Sequence, residues 1–283
     1  IASDDFTPLD VCGHEFTHGV IRSESALEYE GESGALNEAI ADIFGEIIEH
    51  WKTGVHPNWW HNERTLLGGA NARGRHMMWP PFRNQPANYK DTLWANANCG
   101  TPDDSNDKCG VHTNSGVLNR AFALMVDGGD GVNFYGDPFD VSGFGFIKAR
   151  KIVYRAQMVY LTSHDQYSDA REAFIQSAED LYGTCSSEAI TVAKAFYAVG
   201  VGSGTSGYNP KLCGTIIPSG GYTKAIGARS VTSGGPNCTT TILPNGMGFL
   251  YKAGLEVVYK DGFHAPKGSN LQAVTSECTL TKK

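Results

Sequence analysis

The sequence predicts a mainly α-helical protein with a small β-rich module at its C-terminus. Apolar residues recur at helical spacing through most of residues 7–200. After Gly202 the chain is rich in glycine and serine, a composition typical of linkers, and short segments that suit strands follow. We therefore expect two domains, a helical one over residues 1–202 and a β-rich, disulfide-containing accessory module over residues 203–283.

The helices are predicted from capping signals and apolar spacing. The first begins at Thr7-Pro8, an N-cap hydroxyl followed by proline at the first helical position, and spans residues 8–23. The second, residues 34–52, has apolar residues along one face. Further helices are predicted at residues 117–126, 144–161, 168–182 and 187–199, and Gly200 closes the last of them. Residues 53–114 show weak periodicity and are expected to be irregular.

Two short strands are predicted in the C-terminal module. They are residues 248–252 and 255–259, separated by Ala253-Gly254. Their aromatic and β-branched residues suit strands, and the glycine between them suits a turn.

Composition excludes several classes of function. The chain has 283 residues, 41% of them hydrophobic and 19% charged, which is ordinary for a soluble globular protein. Its net charge is −7 and no basic stripe is visible, so nucleic-acid binding has little support. No apolar run approaches the roughly 20 residues that a membrane span needs.

The seven cysteines contain no close CxxC pair, which argues against a thiolate zinc site. Cys99 and Cys109 bracket a polar loop that a short disulfide would suit. Three more lie in the glycine-rich tail: Cys213, Cys238 and Cys278. We expect the odd thiol to be Cys12, packed inward, and disulfides would place the protein in an oxidising compartment outside the cell.

The pattern with the most chemical content lies near the N-terminus, in His14-Glu15-Phe16-Thr17-His18. His14 and His18 are one helical turn apart, so both imidazoles project from one face and can reach one metal ion. Glu15 projects to the side, where it can hold a metal-bound water. Glu38, on the second predicted helix, supplies a third ligand, and three protein ligands with an open position are typical of catalytic zinc.

Asp42 strengthens this interpretation. It follows Glu38 by four residues on the same helix face and can accept the second N–H of a ligating histidine, which fixes the tautomer of that histidine. A structural zinc would need a fourth protein ligand, and no cysteine is suitably placed to provide one. The spacing therefore predicts metal-assisted hydrolysis.

Four further segments resemble a known family. They are GESGALNEAIADI at residues 31–43, CGVHTNSGVLNRAF at 109–122, SAEDLYG at 177–183 and AFYAVGVG at 195–202. With the His14–His18 motif, they resemble the thermolysin family of zinc endopeptidases, the M4-type gluzincins, over residues 9–202. The resemblance implies the mostly helical C-terminal lobe of that fold.

The same resemblance implies roles for individual residues. His14, His18 and Glu38 correspond to the zinc ligands, and Glu15 to the general base. The position of His112 matches the family histidine that stabilises the oxyanion, Tyr29 matches its tyrosine partner, and Asp107 matches the carboxylate that orients the histidine.

Substrate binding is implied for one arginine. Arg75 best matches the family arginine that lies under the pocket for the residue after the cleaved bond, where it can hold a substrate carbonyl. Arg83 and Arg73 are the alternatives. Without the resemblance, each of these arginines would be interpreted as a solvated surface residue.

A structural calcium ion is also implied. Asp10, Glu46 and Glu49 match carboxylates that bind one calcium in the pseudolysin branch of the family, and calcium prefers such oxygen ligands. Residues 56–63 lack most of the acids that bind a second calcium in the thermolysin branch. The alternative is that Glu46 and Glu49 form a solvated helix face.

The function implied is that of a secreted, bacterial, zinc-dependent endopeptidase, which hydrolyses peptide bonds in proteins through a zinc-bound water activated by Glu15. Its partners would be a protein or peptide substrate and a β-rich N-terminal lobe. Because the chain begins shortly before His14, we expect this lobe as a separate chain or a removed segment. The alternative function is a non-catalytic zinc-binding module of the same fold.

Overall fold

The computed structural model describes residues 8–61, 74–183 and 186–202, and the backbone of strands between residues 211 and 275. In the described helical part the α-helices are α1 Leu9–Ser23, α2 Gly31–Thr53, α3 Asp107–Asn114, α4 Gly116–Asp127, α5 Phe146–Arg155, α6 Tyr167–Tyr182 and α7 Ser187–Ala198. A π-helix, Ala156–Tyr160, continues α5, and 3₁₀ turns lie at Pro80–Arg83 and Asp104–Asn106. The prediction of a mainly α fold is confirmed.

The predicted helices are all present, with ends that differ by a few residues. The prediction for residues 144–161 merges two elements, since α5 gives way to the π-helix at Ala156. A small antiparallel hairpin, β1 Gly129–Val132 with β2 Pro138–Val141, was missed. All four residues of β1 are exposed and two are glycines, so this strand carries no apolar alternation that could indicate it.

The helix α2 lies at the centre of the helical part and packs against α1, α3, α4 and α5. Leu36, Ile40 and Ile43 are fully buried on it. Since neighbours surround most of its length, the polar residues of α2 are buried as well, among them Glu38, Asp42 and Glu46. Carboxylates on such a helix need positive partners.

Two glycines allow α1 and α2 to approach closely. A Cβ atom on Gly13 would lie 3.1 Å from the Cα of Gly45, and one on Gly45 would lie 2.4 Å from the carbonyl oxygen of Asp10. Backbones can meet at this distance only without side chains between them. This contact sets the distance between the two helices that carry the candidate metal ligands.

The cysteine predictions have mixed outcomes. The disulfide between Cys99 and Cys109 is confirmed. Cys12 is free, as expected, but its predicted inward packing is wrong, because the residue is exposed. The other four cysteines lie outside the residues whose side chains are described, so their pairing stays open: Cys185, Cys213, Cys238 and Cys278.

The C-terminal strands form three parallel sheets. In chain order the strands are β3 Lys211–Leu212, β4 Gly214–Ile216, β5 Tyr222–Gly227, β6 Ser230–Ser233, β7 Thr240–Ile242, β8 Gly248–Ala253, β9 Glu256–Tyr259, β10 Phe263–His264 and β11 Asn270–Thr275. The sheet orders are β3-β6-β9, β10-β7-β4 and β11-β8-β5. Each sheet takes every third strand, so the backbone coils as in a solenoid.

The register of one sheet shows the length of a coil. Tyr222 pairs with Gly248, and Gly248 with Asn270, so a coil takes 26 residues in one step and 22 in the next. The two predicted strands are present as β8 and β9, but they lie in different sheets. The predicted domain boundary between residues 202 and 203 stays a prediction. Among the described helices, none combines the length and apolar character that crossing a bilayer requires.

Gly45→Ala should destabilise the helical part, because the added methyl would overlap the Asp10 carbonyl. We expect the free energy of unfolding to fall by about 1–3 kcal/mol in urea titrations. Gly19→Ala is the matched control on α1, since nothing lies within 4 Å of its Cβ position. It should leave stability unchanged or raise it by up to about 1 kcal/mol. Equal effects of the two substitutions would contradict the close contact between α1 and α2.

Candidate active site

Three side chains from α1 and α2 converge as a metal site would require. His14 and His18 of α1 bring their Nε2 atoms to 3.0 Å from each other. The carboxylate of Glu38 on α2 reaches both, with Oε2 3.6 Å from His14 Nε2 and Oε1 3.3 Å from His18 Nε2. The helical spacing of the histidines and the close packing of the two helices together produce this arrangement.

The donor set fits a zinc ion. Two imidazole nitrogens and one carboxylate are the ligands of catalytic zinc sites, with one position left for water or substrate. Glu38 Oε2 is buried and has no hydrogen-bond partner among the described residues. Such an atom is costly to bury unless a cation accompanies it.

Each histidine is oriented through its other ring nitrogen. His14 Nδ1 lies 2.8 Å from Asp42 Oδ1. His18 Nδ1 lies 2.8 Å from Asn37 Oδ1, an acceptor, so this nitrogen carries the proton and Nε2 presents its lone pair to the metal position. The amide of Asn37 is itself fixed, because its Nδ2 donates to the Leu27 carbonyl at 3.0 Å. Contacts of this kind set the tautomer and tune metal affinity.

Electrostatics favour an ionised Glu38. Burial lowers the pKa of His18, but its contacts with Glu38 and Asn37 outweigh burial and leave this pKa raised. Burial also raises the pKa of Glu38, yet the contact with His18 and the hydrogen bond from Tyr29 outweigh it and leave the pKa lowered. A carboxylate is therefore available as a ligand at neutral pH.

Asp42 is fully buried and saturated with donors. Arg75 donates from Nε to Asp42 Oδ2 at 2.7 Å, and Asn119 Nδ2 donates to the same oxygen at 2.8 Å. Burial raises the pKa of Asp42, but the charges of Arg75 and His61 outweigh it and hold this pKa well below its usual range. Asp42 is a permanent anion behind His14.

The structure distinguishes the arginine alternatives. Arg75 Nη2 lies 3.8 Å from Glu38 Oε2, so its guanidinium borders the metal site. Arg83 instead lies over the ring of Trp60, 5.6 Å from the ring centroid. Arg73 is outside the described residues. The position of Arg75 is compatible with its predicted role, which stays a prediction.

An open cavity of about 450 Å³ lies over the metal site. Glu15 is exposed and lines this cavity together with Tyr29 and His112. The other lining residues are His14, His18, Arg22, Ala26, Leu27, Asn37 and Glu38. The predicted base and the predicted oxyanion donors thus face one solvent-accessible space.

Tyr29, His112 and Asp107 form a chain of polar contacts beside Glu38. The Tyr29 hydroxyl donates to Glu38 Oε1 and lies 3.2 Å from His112 Nε2. His112 Nδ1 lies 2.6 Å from Asp107 Oδ1. The other oxygen of Asp107, Oδ2, accepts from the backbone N–H and the hydroxyl of Thr113, both at 2.9 Å. Asp107 is thus held by Thr113 and holds His112.

The start of α3, which carries Asp107, is a left-handed turn. The φ angles of Asp107, Lys108, Cys109 and Gly110 are 57°, 47°, 65° and 88°. L-residues pay roughly 1–2 kcal/mol each for this conformation. The disulfide from Cys109 to Cys99 and the hydrogen bond from Cys109 N to Asn106 Oδ1 at 3.1 Å restrain the turn. This strained segment sets the direction of the His112 ring.

The residues predicted to bind calcium are only partly brought together. The carboxylate oxygens of Asp10 and Glu46 converge with His61. Glu49 is half-buried and belongs to none of the metal-type clusters found among the described residues. Calcium binding by Asp10, Glu46 and Glu49 stays a prediction.

Comparison with known proteins now decides the family. Residues 25–201 match the family described as "Thermolysin metallopeptidase, alpha-helical domain". This chain belongs to that family. The matched range includes Tyr29, Glu38 and His112, whereas His14, Glu15 and His18 precede it. In this thermolysin-family chain, the assignment of His14, Glu15 and His18 to the site is therefore supported by their geometry rather than by the family match.

Individual relatives of the thermolysin family are similar over about two thirds of this chain. Bacillolysin from Bacillus caldolyticus and thermolysin from Alicyclobacillus acidocaldarius are each 40% identical over 194 residues, which is 68% of this chain and 33% of each relative. The solved structure of the precursor of protealysin, a metalloproteinase from Serratia proteamaculans, aligns with a TM-score of 0.55 at 30% identity, covering 69% of this chain and 57% of that one. The chain thus spans about a third of the length of these curated relatives.

Several residues at the site were not predicted. Asn37 immediately precedes Glu38 on α2. Its place beside a predicted ligand could have indicated that it contacts a ligating histidine of α1. Asn119 and His61 come from distant segments, and no sequence spacing relates them to Asp42. They become visible only when the fold brings them together.

Asn37→Ala should weaken zinc binding, because His18 would lose the acceptor that fixes its tautomer. We expect zinc affinity to fall by about 10–100-fold in competition titrations with a chromophoric chelator. Asn98→Ala, an exposed position, is the control and should bind zinc like the native chain. Unchanged affinity in Asn37→Ala would show that the contact does not orient the ligand.

Proposed function

We propose that this chain is the helical, zinc-binding part of a secreted zinc-dependent endopeptidase. One observation carries the proposal: His14, His18 and Glu38 converge beneath a cavity that Glu15, Tyr29 and His112 also line. Ligands, base and oxyanion donors are all needed for peptide hydrolysis at a metal, and here they share one space.

The base in the proposed reaction is Glu15. When bound, zinc lowers the pKa of a water molecule toward about 7 and polarises the scissile carbonyl. The Glu15 carboxylate takes a proton from the attacking water, whose oxygen adds to the carbonyl carbon. Glu15 then gives this proton to the amide nitrogen as the C–N bond breaks, so that a carboxylic acid and an amine result.

Tyr29 and His112 serve the oxyanion in this proposal. Burial raises the pKa of Tyr29, and the hydrogen bond to Glu38 raises it further, so the hydroxyl remains a donor at any working pH. Burial raises the pKa of Asp107, but the contacts with His112 and Thr113 outweigh it and leave this pKa lowered, so an anion orients the His112 ring. Tyr29 and His112 are the groups that would donate to negative charge that develops on the carbonyl oxygen.

Substrate binding and partners follow from the same proposal. In this proposal Arg75, whose Nη2 lies 3.8 Å from Glu38 Oε2, holds a substrate carbonyl, and Asp42 keeps its guanidinium in place. A β-rich lobe supplies the opposite wall of the cleft and pairs with an extended peptide. Support for this lobe comes from Phe16, whose apolar ring is 71% exposed on the helix of the zinc ligands.

Secretion is part of the proposal. The disulfide between Cys99 and Cys109 needs an oxidising compartment to form and persist. It restrains the turn that carries Asp107, so the candidate site itself depends on that environment. An extracellular bacterial protease, as the resemblance implies, meets this requirement.

Glu15→Gln should abolish hydrolysis but preserve metal binding, because the amide cannot take a proton and Glu15 is not a ligand. We expect kcat for casein or a quenched peptide to fall by about 10²–10⁴-fold, with an unchanged zinc content. Glu24→Gln, an exposed residue just after α1, is the control. The assay is run with and without phenanthroline, and with the N-terminal lobe supplied. Bound zinc without hydrolysis in the native chain, even with the lobe, would favour the non-catalytic module.

His112→Ala should lower kcat more than it raises KM, because its ring acts on charge that is present only in the transition state. We expect a loss of about 10²–10³-fold in kcat. Asp107→Asn should give a smaller loss in the same parameter, since it removes only the group that orients the ring. A change confined to KM would assign His112 to ground-state substrate binding.

A further inference from the structure

A second cluster of metal-type ligands lies next to the proposed zinc site. It consists of Asp10 on α1, Glu46 on α2 and His61, which are 1%, 3% and 4% exposed. His61 is fixed through its backbone: its N–H donates to the Arg75 carbonyl at 2.9 Å, and its carbonyl accepts from Gly74 at 3.0 Å. The imidazole is thereby held between two buried carboxylates.

The Nδ1 atom of His61 lies beyond ordinary hydrogen-bond distance of both carboxylates of this cluster. His61 Nδ1 lies 3.5 Å from Asp10 Oδ2 and 3.8 Å from Glu46 Oε1. These distances exceed the range of N–H···O bonds. His61 Nδ1 and Glu46 Oε1 are both buried and have no hydrogen-bond partner in the described part of the chain.

The spacing is that of ligands around a cation. Tetrahedral ligands at about 2.1 Å from a metal lie roughly 3.4 Å from one another. In the proposed zinc site the Glu38 oxygens lie 3.6 and 3.3 Å from the two histidine nitrogens. The second cluster has nearly the same dimensions.

Two buried carboxylates also lie close together in this cluster. Asp10 and Glu46 are almost fully buried, and one oxygen of each lies within 4.8 Å of the other. A divalent cation between them would convert this unfavourable pair of acids into ligands.

The donor types decide between metals. Calcium takes six to eight oxygen ligands, usually without imidazole, whereas imidazole with carboxylates suits zinc and its first-row neighbours. We propose that Asp10 Oδ2, Glu46 Oε1 and His61 Nδ1 bind a second zinc-type divalent cation, in place of the calcium that Asp10, Glu46 and Glu49 would bind. The site is structural and ties α1, α2 and the His61 segment together.

This second ion would act on the first site through Asp42. His61 Nε2 lies 3.5 Å from Asp42 Oδ1, the oxygen that also contacts His14 Nδ1. A metal on Nδ1 leaves the ring proton on Nε2, facing Asp42. His61 is thus a positioning residue for the catalytic centre as well as a ligand of its own site.

The test is metal stoichiometry of the full chain. The protein is stripped with a chelator, dialysed against micromolar Zn²⁺ in the presence of millimolar Ca²⁺, and analysed for both elements. We expect about two zinc ions per native chain and about one in both His61→Ala and Glu46→Gln. Glu46→Gln is nearly isosteric, so it reports on the site even if His61→Ala fails to fold.

Two controls separate this site from its neighbours. Glu49→Gln should keep about two zinc ions, because Glu49 is not a ligand in this proposal. His18→Ala should lose only the ion of the catalytic site and keep the second, so failure of the proposed catalytic centre is distinguishable from failure of this inference. Circular dichroism checks that each variant is folded.

The proposal is overturned by any of three results. The first is a single zinc ion in the native chain that is lost in His18→Ala, and the second is two zinc ions retained in both His61→Ala and Glu46→Gln. The third is a calcium ion that resists zinc, is lost in Glu49→Gln and is retained in His61→Ala. That outcome would assign the cluster to calcium.

Discussion

The burial of three carboxylates along one helix is the constraint on which the rest of the structure depends. Glu38, Asp42 and Glu46 lie at four-residue intervals on α2, so they form a line on one face. Each is nearly or fully buried. Isolated buried carboxylates are too costly to persist, so each must have a positive partner close by. The positions of His14, His18, His61 and Arg75 beside α2 meet this requirement.

The partners of the three carboxylates come from different parts of the chain. For Glu38 they are the histidines of α1 and the proposed zinc ion, and Asp42 receives Arg75 and Asn119. Glu46 faces His61. Residues 59–61 and 74–77 pair through the bridge between Trp60 and His76, so one short backbone pairing delivers both Arg75 and His61 to α2. A locally simple element therefore places the partners of two of the three carboxylates.

The parts of the site that could be predicted from sequence are those fixed by helical spacing. His14, His18 and Glu38 lie on two regular helices, so the pattern of residue types indicated their convergence. His61 could not be predicted, because its position depends on pairing between irregular segments. The prediction that Cys12 packs inward was wrong for a related reason. Helix periodicity gives the direction of a side chain around α1, but it does not show which side of the helix the rest of the fold covers. The left-handed turn at Asp107 could not be predicted either, because it depends on the disulfide and on a cap from Asn106 rather than on the backbone preference of its residues.

Because Asp42 touches both His14 and Arg75 and lies near His61, the two proposed metal sites share one anion. An ion bound to His61 strengthens the interaction of Asp42 with His61 and weakens its interaction with His14. Without that ion, Asp42 interacts more strongly with His14. Substitutions in the two clusters should therefore be non-additive, with Asp42 as the group that couples them. In this arrangement Asp42 affects both the stability of the helical part and the basicity of His14. A substitution of Asp42 that changes one of these properties therefore changes the other as well.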